Sequence, residues 1–182
     1  VLHDIPYMAI FEDDIHLGEQ AEYYLTQHDW IKPEWNIIKI EAFAQKVFLG
    51  ECVEQLPVGE HKIFPLLGKN YGCAGYILSN QGAKRLLNYI AQFKPLIPLD
   101  HILFEYLVHQ KKNSVYQMNP TICIQDSILT GTHEYLPSAL EEERFYHMKC
   151  NKKRGWEKIA LEMKRIMDQI KLILFAKKSV FK

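Results

Sequence analysis

The chain has 182 residues, 48% of them hydrophobic and 24% charged, which is enough to bury a core in one globular domain and too apolar for intrinsic disorder. Formal net charge is zero, yet positions 149–182 hold eleven of the 22 Lys and Arg residues and three of the 22 Asp and Glu residues, so an acidic body carries a basic tail. Four dispersed cysteines, no apolar run of membrane-spanning length and no signal-peptide pattern argue for the reduced cytoplasm and against a disulfide scaffold or a transmembrane protein.

In chain order, Tyr7 to Phe11 (YMAIF) is a short continuous apolar run and reads as a fully buried strand. It runs straight into Glu12, Asp13 and Asp14. Gly18 to Gln27 reads as a helix with Ala21, Tyr24 and Leu25 on one face and acidic residues near its start. Trp35 to Phe43 (WNIIKIEAF) predicts a second strand, and Lys62 to Leu67 a third apolar piece. Ala74 to Leu78 predicts a strand, followed by a helix that Ser79 or Asn80 caps and that reaches about Phe93. Pro95 and Pro98 break the chain, after which Asp100 occupies an N-cap position for HILFEYLVHQ. Ser114 to Met118 and Thr121 to Ile124 read as strands, and the alternation of strands and helices predicts an α/β layer architecture.

Apolar residues then recur at helical spacing from Trp156 to Phe175, with Lys158, Lys164, Arg165 and Lys171 off the stripe. This predicts a basic amphipathic helix whose stripe packs on the domain, with adhesion to an anionic membrane surface as its second use. No nucleic-acid recognition motif accompanies the basic residues, so nucleic acid is not an expected partner. The chain starts with Val and enters its first strand within a few residues, which reads as a domain lacking its N-terminal portion.

The acidic trio is the main chemical signal. In extended backbone alternate side chains share a side, so Glu12 and Asp14 point together while Asp13 points away. Two oxygen donors at this spacing suit a hard divalent cation, and the crevice beyond the carboxyl ends of strands is where α/β sheets bind ligands. A solvated acidic turn at a strand end fits the same three residues. Gly72 and Gly75 in GCAGY would let backbone approach a ligand closely, or make a tight turn into a strand, and Tyr71 and Tyr76 could stack on a ligand or pack in the core.

Four blocks, YMAIFEDDI, GCAGYILSNQGAKRLL, PLDHILFEYL and VYQMNPTICIQDS, together resemble glycosyltransferase family 25, the bacterial lipooligosaccharide and lipopolysaccharide glycosyltransferases. The resemblance implies a GT-A-like, Rossmann-type domain over residues 1–150 with a helical tail over 151–182. It also implies transfer of a hexose, galactose or glucose, from a UDP-sugar with inversion to a lipid-linked lipooligosaccharide or lipopolysaccharide acceptor. A divalent metal, Mn²⁺ or Mg²⁺, would be held by the acidic motif, with Asp14 the main ligand and Glu12 near the ribose or the metal's water shell. Glu12 and Asp13, with Gly72 and Gly75, then form the donor-binding set.

Inversion by direct displacement needs a base for the acceptor hydroxyl, and Asp100 and Asp126 are the candidates, with N-capping and a surface turn as their other uses. His133 is an isolated histidine and stays outside the metal set. These assignments place the protein in the cytoplasm, peripheral on the inner face of the cytoplasmic membrane. Two alternatives keep part of the same reading: a catalytically inactive remnant or interaction protein, and a metal-dependent phosphohydrolase using the acidic trio.

Overall fold

The computed structural model describes residues 5–92, 97–110, 115–131 and 156–182. Its strands are β1 (Tyr7–Phe11), β2 (Ile15–Leu17), β3 (Ile37–Lys39), β4 (Glu41–Ala42), β5 (Lys46–Val47), β6 (Glu54–Gln55), β7 (Lys62–Pro65), β8 (Gly75–Ser79), β9 (Val115–Asn119), β10 (Cys123–Gln125) and β11 (Lys177–Lys178). Its helices are α1 (Ala21–Thr26), α2 (Asn80–Ile90), α3 (Leu99–His101), α4 (Asp126–Thr130) and α5 (Trp156–Phe175). After α3 the chain continues through a wide π turn (Ile102–Tyr106) and a tight 3-10 turn (Leu107–His109).

The main sheet has six strands in the order β1-β8-β3-β9-β7-β6, antiparallel except for the parallel β3–β9 pair. A second sheet, β2-β10-β4, leans on it, and β5 pairs with β11. The architecture is thus mixed α/β, with antiparallel pairings dominating the layer that alternation alone predicts.

Strand β3 lies inside the main sheet with both faces covered, so its consecutive residues Ile37 and Ile38 are both buried. Ile38 faces a core with Tyr24, Trp35, Ile63, Ile77 and Met118. Ile37 faces the opposite core with Phe64, Tyr76, Leu86, Phe104 and Val115. Burying side chains such as Ile38, Ile63 and Met118, each at 0% exposure, contributes roughly 1.5–3 kcal/mol apiece.

The expected strand from Trp35 to Phe43 is split at Ile40. Its N–H bonds Gly75 O at 3.1 Å in one sheet, while its carbonyl accepts Ile122 N at 3.1 Å and Cys123 N at 3.2 Å in the other. One apolar run therefore serves two sheets. The first strand departs from expectation as well. β1 is an end strand of the six-stranded sheet, with Met8 53% exposed, so its apolar run does not mark full burial.

Helix α2 follows prediction. Ser79 is its N-cap, its Oγ accepting Gly82 N at 2.9 Å, which satisfies one of the helix's free N–H groups. Asp100, in contrast, lies inside the first turn of α3, whose N-cap position is Pro98.

Helix α5 has the predicted span, but among its described side chains Met163, Ile166, Met167, Ile170, Ile173 and Leu174 are all exposed. The expectation that the stripe packs on the domain does not hold for these residues. After α5 the chain rejoins the body. Ser179 N bonds Gln45 O, Thr121 N bonds Val180 O, and Glu19 N bonds Lys182 O, at 3.0, 2.7 and 2.9 Å. The last six residues are stitched to the body, beyond the division expected at residue 150. Among the described residues no helix is long and apolar enough to cross a membrane.

Candidate functional site

The acidic motif lies where the chain leaves the large sheet for the small one. Phe11 pairs with Gly75 at the end of β1, Glu12 N donates to Ala74 O at 3.0 Å, and from Ile15 the chain pairs with β10. The register Gln125↔Ile15 brings the end of β10 beside the acidic turn. Gln125 Nε2 donates to Glu12 Oε2 at 2.8 Å and lies 3.4 and 3.3 Å from Asp14 Oδ1 and Oδ2. The two carboxylates converge on one point, but Glu12 and Asp13 are both exposed and residues 13 and 14 form a turn, so the alternation expected of extended backbone does not describe them.

A half-turn of the Gln125 amide would present its carbonyl oxygen at that point instead. The set is then all-oxygen, which fits Mg²⁺ or Mn²⁺. Among the described residues no group of three His, Cys, Asp or Glu side chains is placed to hold a metal ion, and this point offers two carboxylates and the Gln125 amide.

Asp126 opens α4, and its N–H donates to Asp14 O at 2.8 Å. Its Oδ1 lies 2.6 Å from His16 Nε2, and the register Ile124↔His16 holds β2, which carries His16, against β10, which leads into Asp126. Asp126 and Asp14 are thus neighbours.

Asp100 approaches from another side. Its Oδ1 accepts His101 N at 2.9 Å, and its Oδ2 lies 3.4 Å from Gly72 N. The next residue, Cys73, places Sγ 3.4 Å from Glu12 Oε1. Burial foremost, then the charges of Glu12 and Asp100, push the Cys73 thiol up to about 12. One short loop therefore joins the Glu12 and Asp100 flanks.

Packing accounts for both glycines of that loop. Gly72 has φ +84°, and a Cβ there would lie 2.7 Å from Phe43 Cδ2 and 2.8 Å from Glu41 Oε1. On Gly75 a Cβ would lie 2.1 Å from Cys123 Sγ. The space freed by their missing side chains is filled by the protein itself.

Tyr76 is a core residue, packed edge-on to Phe104. The Tyr71 ring lies against His101, with centroids 4.4 Å apart, and its hydroxyl donates to Glu105 Oε2 at 3.0 Å. Burial, then the hydrogen bond to Glu105, push the Tyr71 hydroxyl up to about 12. His133 lies outside the described residues.

Sequence reasoning missed Gln125, His16 and the buried pair Lys39 and Glu41. For Gln125 the signal was its place between a strand and the candidate Asp126. For His16 it was the alternation that puts it on the side of Asp14. Lys39 and Glu41 were signalled by two charges of opposite sign sharing a parity with Ile37 inside an apolar strand.

The sequence profile of glycosyltransferase family 25 (LPS biosynthesis protein) matches residues 1–103. The chain is 35% identical over 161 residues to the lipooligosaccharide biosynthesis protein lex-1 of Haemophilus influenzae, covering 85% of this chain and 53% of that protein. It is 30% identical over 190 residues to the lipooligosaccharide biosynthesis protein lic2B of the same species, covering 97% and 69%. Similarity to the lacto-N-neotetraose biosynthesis glycosyltransferase LgtE of Neisseria gonorrhoeae is 30% over 151 residues, covering 77% and 53%. The chain thus spans about half to two thirds of the length of these relatives. With the profile matching more than half of its residues and these relatives aligning over most of its length, the protein belongs to glycosyltransferase family 25.

Proposed function

We propose that this protein is a GT-A-type, metal-dependent, inverting glycosyltransferase that moves galactose or glucose from a UDP-sugar to the oligosaccharide of a lipid-linked lipooligosaccharide or lipopolysaccharide acceptor. The observation that carries the reading is the convergence of Glu12 and Asp14 on Gln125 where the chain passes between the two sheets, in a chain of this family.

Asp14, Glu12 and Gln125 would hold Mn²⁺ or Mg²⁺, with Asp13 on the exposed donor side. When bound, the ion supplies positive charge that stabilises the diphosphate leaving group. Asp100 and Asp126 are the candidate bases for the acceptor hydroxyl. Asp126 Oδ1 is engaged by His16 at 2.6 Å, and Asp100 Oδ1 accepts His101 N at 2.9 Å, so each carboxylate keeps a second oxygen for an acceptor hydroxyl. Gly72 and Gly75 keep the loop backbone compact beside the donor.

The place of action follows from the acceptor. A lipid-linked oligosaccharide lies at a membrane surface, and α5 offers exposed apolar residues on a chain segment rich in Lys and Arg. The protein would work in the cytoplasm, peripheral on the inner face of the cytoplasmic membrane.

Isothermal titration of the full-length protein with UDP, with and without Mn²⁺, tests the donor site. The expected result is metal-dependent binding, and heat absent under both conditions would overturn it. An assay of UDP-sugar turnover against added acceptor then separates transfer from hydrolysis, because acceptor-independent cleavage would identify a phosphohydrolase.

A further inference from the structure

Lys39 and Glu41 are the end of β3 and the start of β4, on either side of the break at Ile40, and both side chains are wholly buried. Lys39 Nζ donates to Glu41 Oε2 at 3.0 Å, to Tyr71 O at 2.8 Å and to Gly72 O, and sits 4.2 Å from the centroid of the Phe104 ring. Glu41 Oε2 also accepts Ala74 N at 3.0 Å. Its Oε1 is buried without a hydrogen-bond partner, against the glycine at 72.

Stability is a poor explanation for this pair. Burial pushes the Lys39 ammonium down and the Glu41 carboxyl up, in both cases against the charged form. A well-packed apolar pair in such a place is often as stable or more so. What the pair does reach is the backbone at residues 71, 72 and 74, in the loop that enters β8. That loop contacts Glu12 through Cys73 Sγ and Asp100 through Gly72 N. Behind it, Gln117 Nε2 donates to Lys39 O and Glu41 O at 3.2 and 3.3 Å, and Gln117 Oε1 accepts Asn70 Nδ2 at 2.8 Å, bracing both ends of the loop's support.

We propose that Lys39 and Glu41 are positioning residues of the transferase site: they pin the Tyr71–Ala74 backbone and so set the spacing of Glu12 and Asp100 on its two flanks. The transfer arm of the test rests on the reading of the protein as a UDP-sugar transferase; the pinning of the loop does not.

The test uses the full-length protein and the double variant Lys39→Met/Glu41→Leu, which removes both charges at similar volume. Retained cooperative unfolding is expected, with kcat for transfer lowered about a hundredfold, the scale of a 1 Å misplacement. The metal-dependent UDP dissociation constant should rise by less than kcat falls, on the order of tenfold at most, since Glu12 is displaced with the loop while Asp14 is not held by the pair; a role confined to stability would leave kcat intact. Amide hydrogen exchange at Gly72, Cys73 and Ala74 should accelerate at least about tenfold while β9 keeps its protection.

A folded double variant with unchanged kcat, or with unchanged exchange in the loop, overturns the proposal. If wild-type protein neither binds UDP nor transfers sugar, the transferase reading fails, and the exchange arm alone decides whether the pair pins the loop. Should the double variant not fold, Glu41→Gln replaces it, with the same loss of kcat and loop protection expected and their preservation overturning the proposal.

Discussion

Glu12 and Asp14 share one hydrogen-bond donor, the Gln125 side-chain amide, at 2.8 Å from the former and 3.3 Å from the nearer oxygen of the latter. Two like charges aimed at one point repel, and a neutral donor offsets this less well than a cation. Asp14→Asn halves the formal charge there. We expect it to weaken Mn²⁺-dependent UDP binding at least about tenfold in isothermal titration. Its effect on urea unfolding should stay within about 0.5 kcal/mol, as for other changes away from the core. A large loss of stability with intact binding would show Asp14 to be a structural residue.

Gly75 makes a sharper prediction about the fold. Its missing Cβ would fall 2.1 Å from the sulfur of Cys123, a residue at 0% exposure whose neighbours are strands of both sheets. Gly75→Ala should therefore cost about 1–3 kcal/mol or more by overpacking, read from the shift in urea midpoint. Cys123→Ala in the same chain removes the obstructing sulfur, so the double variant should be more stable than Gly75→Ala alone, a coupling of opposite sign to simple additivity. Strictly additive losses would place the clash elsewhere.

How far the sequence discloses this arrangement depends on how local each cause is. The Ser79 cap is written within four residues, because the oxygen that caps and the N–H it satisfies at Gly82 are neighbours in the chain. The break of WNIIKIEAF at Ile40 is not, since it depends on Gly75 to one side and on Ile122 and Cys123 to the other. The acidic motif was legible as three charges directly after an apolar run, but its partner Gln125 lies more than a hundred residues away and is delivered by strand register. Met8 misleads for the same reason: whether an apolar strand is central or at the end of the sheet is decided by which strands pair with it, and no residue within the strand reports that.

Alkaline stability follows from two buried acids and one half-buried one. The Cys123 thiol and the Tyr71 and Tyr76 hydroxyls are each pushed up to about 12, by burial first of all. In the unfolded chain they ionise near their ordinary values of 9.0 for the thiol and 10.0 for the hydroxyls. Between those values and about 12 the folded state therefore binds more protons than the unfolded one, and stability falls as pH rises. Their contribution is fully present below pH 9. Urea midpoints measured from pH 8 to 11.5 should be level up to about 9 and then decline, and Tyr71→Phe should soften the decline above 10. A midpoint that rises over this window would contradict the burial of these groups.

Helix α5 gives the last test, because its apolar stripe is left uncovered by the described body. Exposure along it runs from 45% at Ile170 to 67% at Leu174, and positions 149–182 hold eleven of the 22 Lys and Arg residues. An anionic bilayer would cover the stripe while each basic residue near the surface contributes about 1 kcal/mol. The full-length protein should thus sediment with vesicles of phosphatidylcholine and phosphatidylglycerol far more than with phosphatidylcholine alone. The difference should shrink in 0.5 M salt, where the Debye length falls to a few ångströms. Ile166→Glu/Ile173→Glu should abolish binding and leave the unfolding transition in place, because neither residue is buried in the fold. Equal binding to both vesicle types would mean that apolar contact alone holds the helix. No binding, together with a concentration-dependent dimer in sedimentation, would instead assign the stripe to a second copy of the chain.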